Sequence, residues 1–407
     1  MSNDPKKTLN SSNGVLDEVE NGENLTPEQR IKQLTEFIGG FEKWSQLNED
    51  CRLYVVQYLD YKSRCKLERC SKQDQSTVKK TPLHVYSMAI LDSDWLPDYS
   101  LENPFDIVHV HVQFGKKAKS YRVMFSHSGE YATRNWLTRA AGKELEYSTM
   151  VIGKSNYYEE AVKFAEGFMK KGNFELERIS MDVSRYPWET SQIRQLPLCK
   201  KAGIGVNRLQ QPSGCFSILP ENMDTMSLYP SGKYADNLPV PSEALDVPQV
   251  RTSQSLYIRG GVKYSDDQFL NLRNKSMHFD AIELSDEAIN KFLKRWINGK
   301  CFEGFEYASL KSINEWNSEM ILNGINVTFW DEDFRKEAES ICEEVRGFCS
   351  EGDTYQISSR VDPYESLTLN IRDLGNGTWK TCHIYHTGRR TTRDGEDFKG
   401  YYVDEWW

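Results

Sequence analysis

The sequence predicts an α+β chain, with a small helical module over residues 25–81 followed by a β-rich αβ region over 82–407. Three observations predict it. Between Leu47 and Asp74, apolar residues recur at helical spacing in runs too short to make a core alone. From Pro82 the pattern turns to alternating and β-branched runs, as strands require. Beyond residue 157, helical and strand-like segments then alternate in order.

The first element to justify is a tail. Residues 1–24 are rich in Asn, Ser, Asp, Glu and Lys and hold almost no large apolar residue, so nothing offsets the entropy of ordering them. Order is expected to begin at a helix capped by Thr26, with Pro27 at its first position, Gln29 closing a capping box, and Ile31, Leu34, Phe37 and Ile38 as its stripe before Gly39-Gly40. Next, Cys51, Val55, Val56 and Leu59 share one helical stripe with Leu47 ahead of them. Ser63 and Ser71 are read as caps of two further short helices, the first carrying Cys65, Leu67 and Cys70. A unit this small leaves apolar surface for another domain or protein to cover, which marks a docking module.

In the second region, PLHVYSMAIL and FDIVHVHVQF read as strands. Ile107, His109, His111 and Gln113 fall on one face, and Val108, Val110, Val112 and Phe114 on the other. GKKAK before SYRVMFS is expected to turn a hairpin. A helix with Ala161, Phe164, Ala165 and Phe168 on one stripe precedes the strand LERISMDV. SLYIRGG, DDQFLNLR, SMHFDAIEL, SDEAINKFLKRWING and FEGFEYASL repeat the alternation at an irregular spacing of about 25 to 30 residues, which leaves a leucine-rich-repeat-like arc open. In the fourth of these, Ser285 caps, Leu284 and Ile289 form a staple, and Ile289, Phe292, Leu293, Trp296 and Ile297 should face a sheet. Residues 212–248, with six prolines, read as a long loop or insertion. Trp406 and Trp407 are expected to pack back onto the domain, with partner contact as the alternative.

The net charge of −9 over 407 residues argues against nucleic acid and anionic membranes as partners. The start MSNDPKKTLNSSNG holds no secretory apolar run, and no span of about 20 apolar residues follows, so an intracellular chain, cytoplasmic or nuclear, is expected. The nine cysteines, at 51, 65, 70, 199, 215, 301, 342, 349 and 382, show no Cys-x-x-Cys spacing and read as reduced, mostly buried small hydrophobes.

A search for chemistry returns little. His109 and His111 could start a metal site but have no evident third ligand, and alternation on a half-exposed strand explains them as well. Cys382, His383 and His386 lack the HExxH general base and read more plainly as an exposed turn. Gly153-Lys154-Ser155 has Ser148 where a phosphate loop needs its first glycine, and Gly203 and Gly205 lack the third glycine of a dinucleotide fingerprint. The carboxylates of DEDFRKEAESICEEVR suit a solvated helix face. No catalytic residue, metal or cofactor is expected, and the enzyme reading ranks below a binding one.

Leu47-Asn48-Glu49-Asp50, Val55-Val56, Leu59, Leu67 and Cys70-Ser71-Lys72 resemble an F-box, which docks a Skp-type adaptor. The usual pattern is Leu-Pro-x-Glu, an aliphatic pair, a Leu, and Val-Ser-Lys-x-Trp. This chain departs from it at Asn48, Asp50, Cys70 and Asp74. Together with PLHVYSMAILD, RQLPLCKKAGIGVNRL and LSDEAINKFLKRWINGKCFEGFEYASL, the chain resembles, over residues 41–320, nematode F-box proteins with an F-box-associated domain. The resemblance implies a substrate-recognition subunit of a cullin-RING ubiquitin ligase, with an unknown protein target. It implies adaptor contact at Leu47, Asp50, Val55, Val56, Leu59 and Leu67, divided between the module's own core and the adaptor groove. The alternative is an αβ interaction module whose F-box has decayed and binds no adaptor.

Overall fold

The computed structural model describes residues 41–92, 107–116, 120–138, 146–169, 176–183, 191, 196, 199–206, 216–230, 239–312, 314–330, 332, 353–362, 365–373 and 380–386. The expectations for the tail, the Thr26 helix, nearly all of DEDFRKEAESICEEVR, and Trp406 and Trp407 lie outside these residues. The chain divides into two compact units, Met1–Thr81 and Pro82–Trp407.

In the first unit, α1 (Phe41–Gln46), α2 (Glu49–Gln57), α3 (Tyr61–Leu67) and α4 (Lys72–Lys80) follow one another closely. Side chains stop and start them. Asn48 accepts from the Cys51 N–H at 2.8 Å, and Ser71 caps α4 by accepting from the Asp74 N–H at 3.0 Å. The cap of α3 corrects the reading of Ser63: Asp60 accepts from the Ser63 N–H at 2.6 Å, so the helix starts three residues earlier. An aspartate ahead of the first turn also meets the positive end of the helix dipole.

The interior of this unit is unusually polar. Val56 is fully buried, and Arg52, Arg64, Asp74 and Thr77 are buried with it. The Arg64 guanidinium donates to the carbonyls of Leu59 (3.1 Å), Gln57 (3.0 Å) and Thr81 (3.5 Å), joining the end of α2 to the end of α4. Helix ends leave carbonyls without intrahelical partners, and a cation there satisfies them and opposes the dipole. Asp74 accepts from the Trp44 indole at 2.7 Å and from the Ser71 hydroxyl at 2.6 Å. The departure from the motif's tryptophan therefore has a structural counterpart, because an indole from α1 reaches the aspartate that stands in its place.

Among the described residues, the second unit is organised by a 15-stranded sheet. β1 (Val85–Leu91), β2 (Ile107–Gln113), β3 (Ser120–Ser128), β4 (Tyr131–Thr138) and β5 (Glu146–Gly153) form an antiparallel meander, and α5 (Tyr157–Met169) leads to β6 (Leu176–Asp182), parallel to β1. Then β7 (Lys201–Val206), β8 (Thr225–Pro230), β9 (Ser255–Val262), β10 (Ser276–Ile282) and β11 (Tyr307–Ser312) each lie parallel beside their predecessor. Helices α6 (Pro248–Thr252), α7 (Asp266–Leu270) and α8 (Asp286–Ile297) are threaded between these strands. After α9 (Ser318–Ile321), the strands β12 (Thr328–Phe329), β13 (Asp353–Ser358), β14 (Ser366–Asp373) and β15 (Lys380–His386) build the other end, with β15 antiparallel to β11.

Register explains why the middle is parallel. Ile179, Ala202, Met226, Leu256, Met277 and Ala308 align on one rung, and Met181, Ile204, Leu228, Ile258, Phe279 and Leu310 two residues on. None of these twelve is more than 2% exposed. Helices pack on this face: Phe164 of α5 lies 5.6 Å from Phe125 of β3 and Trp296 of α8 5.8 Å from His386 of β15, Phe269 and Phe292 join α7 to α8 at 5.7 Å, and Tyr264, in the segment after β9, lies 5.2 Å from Phe279. Strands β6 to β11 stand in the sheet in sequence order and at an irregular spacing, starting at Leu176, Lys201, Thr225, Ser255, Ser276 and Tyr307.

The long loop expected over 212–248 is corrected. β8 lies inside it, between β7 and β9, and a 3-10 turn at Ser242–Asp246 precedes α6. Met226 and Leu228 give the period of two, and Pro230 sits at the strand's last residue, where its missing N–H costs little. Gly203 and Gly205 are strand residues of β7 rather than a phosphate cradle. A Cβ at Gly205 would run into the buried Asp182 carboxylate on β6, so that glycine makes room for a neighbour.

Candidate functional site

The outward surface of α2 carries the exposed large apolar residues among the described residues of the first unit. Cys51, Tyr54, Val55 and Tyr58, spaced i, i+3, i+4 and i+7, share one side of the helix. Tyr54 is 62%, Val55 42% and Tyr58 70% exposed, and Cys51 is exposed too. The two phenol rings meet edge to face at 5.2 Å, and the Tyr58 hydroxyl donates to the Tyr54 oxygen at 3.0 Å. That hydrogen bond raises the Tyr54 phenol above its ordinary range. Asp50 is exposed beside them, and Glu49 pairs with Lys80 at 2.5 Å. The result is an exposed aromatic and aliphatic centre with a charged rim.

The residues implied by the resemblance separate cleanly. Val55 and Asp50 face outward, Val56 points wholly inward, and Leu47, Leu59 and Leu67 are half-buried. Val56 is thus a core residue of the module. Tyr54 and Tyr58 lie outside the residues that the resemblance implies, because the motif's pattern names no aromatic residue at their positions. Their signal was present, an i, i+4 aromatic pair on the stripe of Cys51 and Val55.

The other candidates dissolve in the second unit. His109 and His111 lie on β2 with rings 6.1 Å apart, and among the described residues no group of three His, Cys, Asp or Glu is placed to hold a metal ion. Cys382, His383 and His386 are not in an exposed turn but on β15, between β11 and β14. Cys382 is fully buried and burial pushes its thiol well above the usual range. A thiol held protonated is no nucleophile. Gly153 ends β5, and Lys154 pairs with Glu130 at 2.6 Å. The burial expected of the cysteines holds for Cys199 and Cys382; Cys51 and Cys70 are exposed.

On the sheet face opposite the helices, Tyr257 stacks on His278 at 4.5 Å, His278 meets Tyr307 at 4.9 Å, and the Tyr307 hydroxyl lies 2.9 Å from His383 Nδ1. Burial pushes His111 and His278 down to about 4 and His383 to about 3, with Arg122 adding to the first shift and Arg372 to the last. All three are neutral in the folded chain at pH 7. An unfolded histidine titrates near 6.5, so below that pH unfolding takes up protons and stability falls as pH drops from about 6.5 toward 4. We expect the urea midpoint of the second unit to fall between pH 7 and pH 5, with about 2 kcal/mol at stake per histidine. His278→Gln should shrink that difference; an equal pH dependence in wild type and variant would remove this histidine from the account.

Comparison with known proteins agrees with both halves. Residues 44–86 match the model of the F-box domain, and residues 249–310 match that of the F-box associated family. The patch on α2 falls inside the first match, and β9, α7, β10 and α8 inside the second. An uncharacterized F-box protein of Caenorhabditis elegans is 33% identical over 391 residues, covering 95% of this chain and 100% of the relative. No solved structure matches. The chain belongs to the F-box proteins, in the nematode group that carries a C-terminal F-box-associated domain. These families are adaptor-type, and no helix among the described residues is long and apolar enough to cross a membrane.

Proposed function

We propose that this chain is the substrate-recognition subunit of a cullin-RING ubiquitin ligase of the SCF type. Its α2 face docks a Skp-type adaptor, and the unit Pro82–Trp407 holds a protein target. The observation that supports this most directly is the Tyr54, Val55 and Tyr58 surface, exposed on a helix whose inner side is fixed by Val56 and backed by the Arg64 network. Such a chain performs no bond chemistry of its own. Tethering raises the effective concentration of a target lysine near a ubiquitin-charged enzyme, which converts a bimolecular encounter into an intramolecular one.

The test is co-purification of the full chain with a Skp-type adaptor, read by size exclusion with light scattering. A one-to-one complex is expected. A folded chain that stays free of the adaptor would leave an αβ interaction module with a decayed F-box.

A further inference from the structure

A cavity of about 240 Å³ lies at the β12 end of the sheet, between the last residue of α8, the segment entering β12, and the turn after β13. Ile297 and Ile325 supply its apolar part, and Asn326, Gln356 and Ser359 its uncharged polar part. Arg360 is the single charged residue in its lining. The walls are held in place. The buried Asn290 amide donates to the carbonyls of Ile321 (2.7 Å) and Asn323 (3.0 Å), fixing the turn before Ile325 to α8. The Arg360 N–H donates to Ile297 O at 2.9 Å, and the Ser359 hydroxyl accepts from the N–H groups of Val361 and Asp362, each at 3.1 Å. Arg360 itself is exposed.

The surroundings suit a polypeptide. Val327 is 37%, Phe329 57% and Val361 66% exposed, so an apolar rim flanks the cation. Among the described residues β12 is the outermost strand at its end of the sheet, and an edge strand accepts an added strand through main-chain hydrogen bonds. We propose that this cavity receives an aspartate or glutamate side chain from an extended segment of a partner protein, with apolar residues of that segment against Val327 and Phe329. The guanidinium fork pairs with a carboxylate, and the Asn326 amide is a donor within the same lining, while the Gln356 amide donates to the Ser366 hydroxyl at 3.1 Å. The inference builds on the ligase reading by giving the target a chemistry.

The full chain, with adaptor present, is exposed to two libraries of acetylated and amidated nonapeptides, one with glutamate and one with glutamine fixed at the centre. The wild type should retain the glutamate library about tenfold more strongly. Arg360→Ala should abolish the preference, and Arg360→Glu should transfer it to a lysine-centred library. Both substitutions are at an exposed position, so adaptor binding stays unchanged and loss of the preference is separable from loss of the docking module. Equal retention of the two libraries overturns the proposal. So does a preference that survives Arg360→Ala, one seen only in peptides with a free C-terminal carboxylate, or Arg360-dependent self-association by light scattering. A glutamate preference without any adaptor complex would keep the peptide site and discard the ligase reading.

Discussion

Tyr58→Asp in the full chain is expected to weaken adaptor binding by about a hundredfold while the helical module stays folded. Tyr58 is 70% exposed, so the free chain loses little packing when the ring is removed. In a complex, the substitution removes an aromatic anchor and forces a carboxylate out of water at the centre of the patch, where a charge without a partner is costly. Val55→Asp, one helical turn back on the same face, should behave alike. Val56→Asp makes the informative contrast: its side chain is fully buried, so it too should abolish binding, but by unfolding α2, α3 and α4. Hydrogen exchange separates the two mechanisms, because Tyr58→Asp keeps slow amides in these helices and Val56→Asp loses them. Wild-type affinity in a folded Tyr58→Asp chain would move the docking surface elsewhere.

Arg64→Met should destabilise the first unit by about 3 kcal/mol, enough to unfold a module of this size, while the urea transition of the second unit is unchanged. Methionine fills similar volume and keeps the apolar stem, so the loss isolates the guanidinium. Three carbonyls at the ends of α2 and α4 lose a donor at once, in an interior where water cannot fully replace it. Arg64→Lys should recover only part of the stability, since one ammonium cannot span the geometry that a planar fork spans. Fast amide exchange across α2–α4 in Arg64→Met, with partial recovery in Arg64→Lys, is the expected pattern. Unchanged exchange in Arg64→Met would mean that solvent already satisfies those carbonyls.

Much of the molecule was legible in one dimension. The α8 helix carried its own cap at Ser285 and a five-residue stripe, and both are present as read, with all five stripe residues buried. The alternation of β2 placed Val108, Val110 and Val112 on one buried face and the histidines on the other, and SYRVMFS is its antiparallel partner as expected, with 117–119 outside the described residues. Such local signals are strong because a period of 3.6 or 2 states which face is buried without reference to any distant residue. The exposed α2 face was half legible: the stripe was visible, but not which of Val55 and Val56 looks inward.

What the sequence by itself determined was therefore the described helices of the module, most of the described strands and the αβ alternation. Only the tertiary structure decided that Thr225–Pro230 is a central strand, because six nearby prolines outweigh a short period-two run until β7 and β9 supply its hydrogen bonds. It likewise decided that Cys382 and His383 lie inside the sheet, that Gly205 yields space to Asp182, and that Arg64 and Asp74 are interior residues. Each of these depends on partners 17 to 76 positions away in the chain, such as Thr81 for Arg64 and Tyr307 for His383. Polar burial is set by which acceptors and donors the fold brings within about 3 Å, and that distance is fixed by packing rather than by any local pattern.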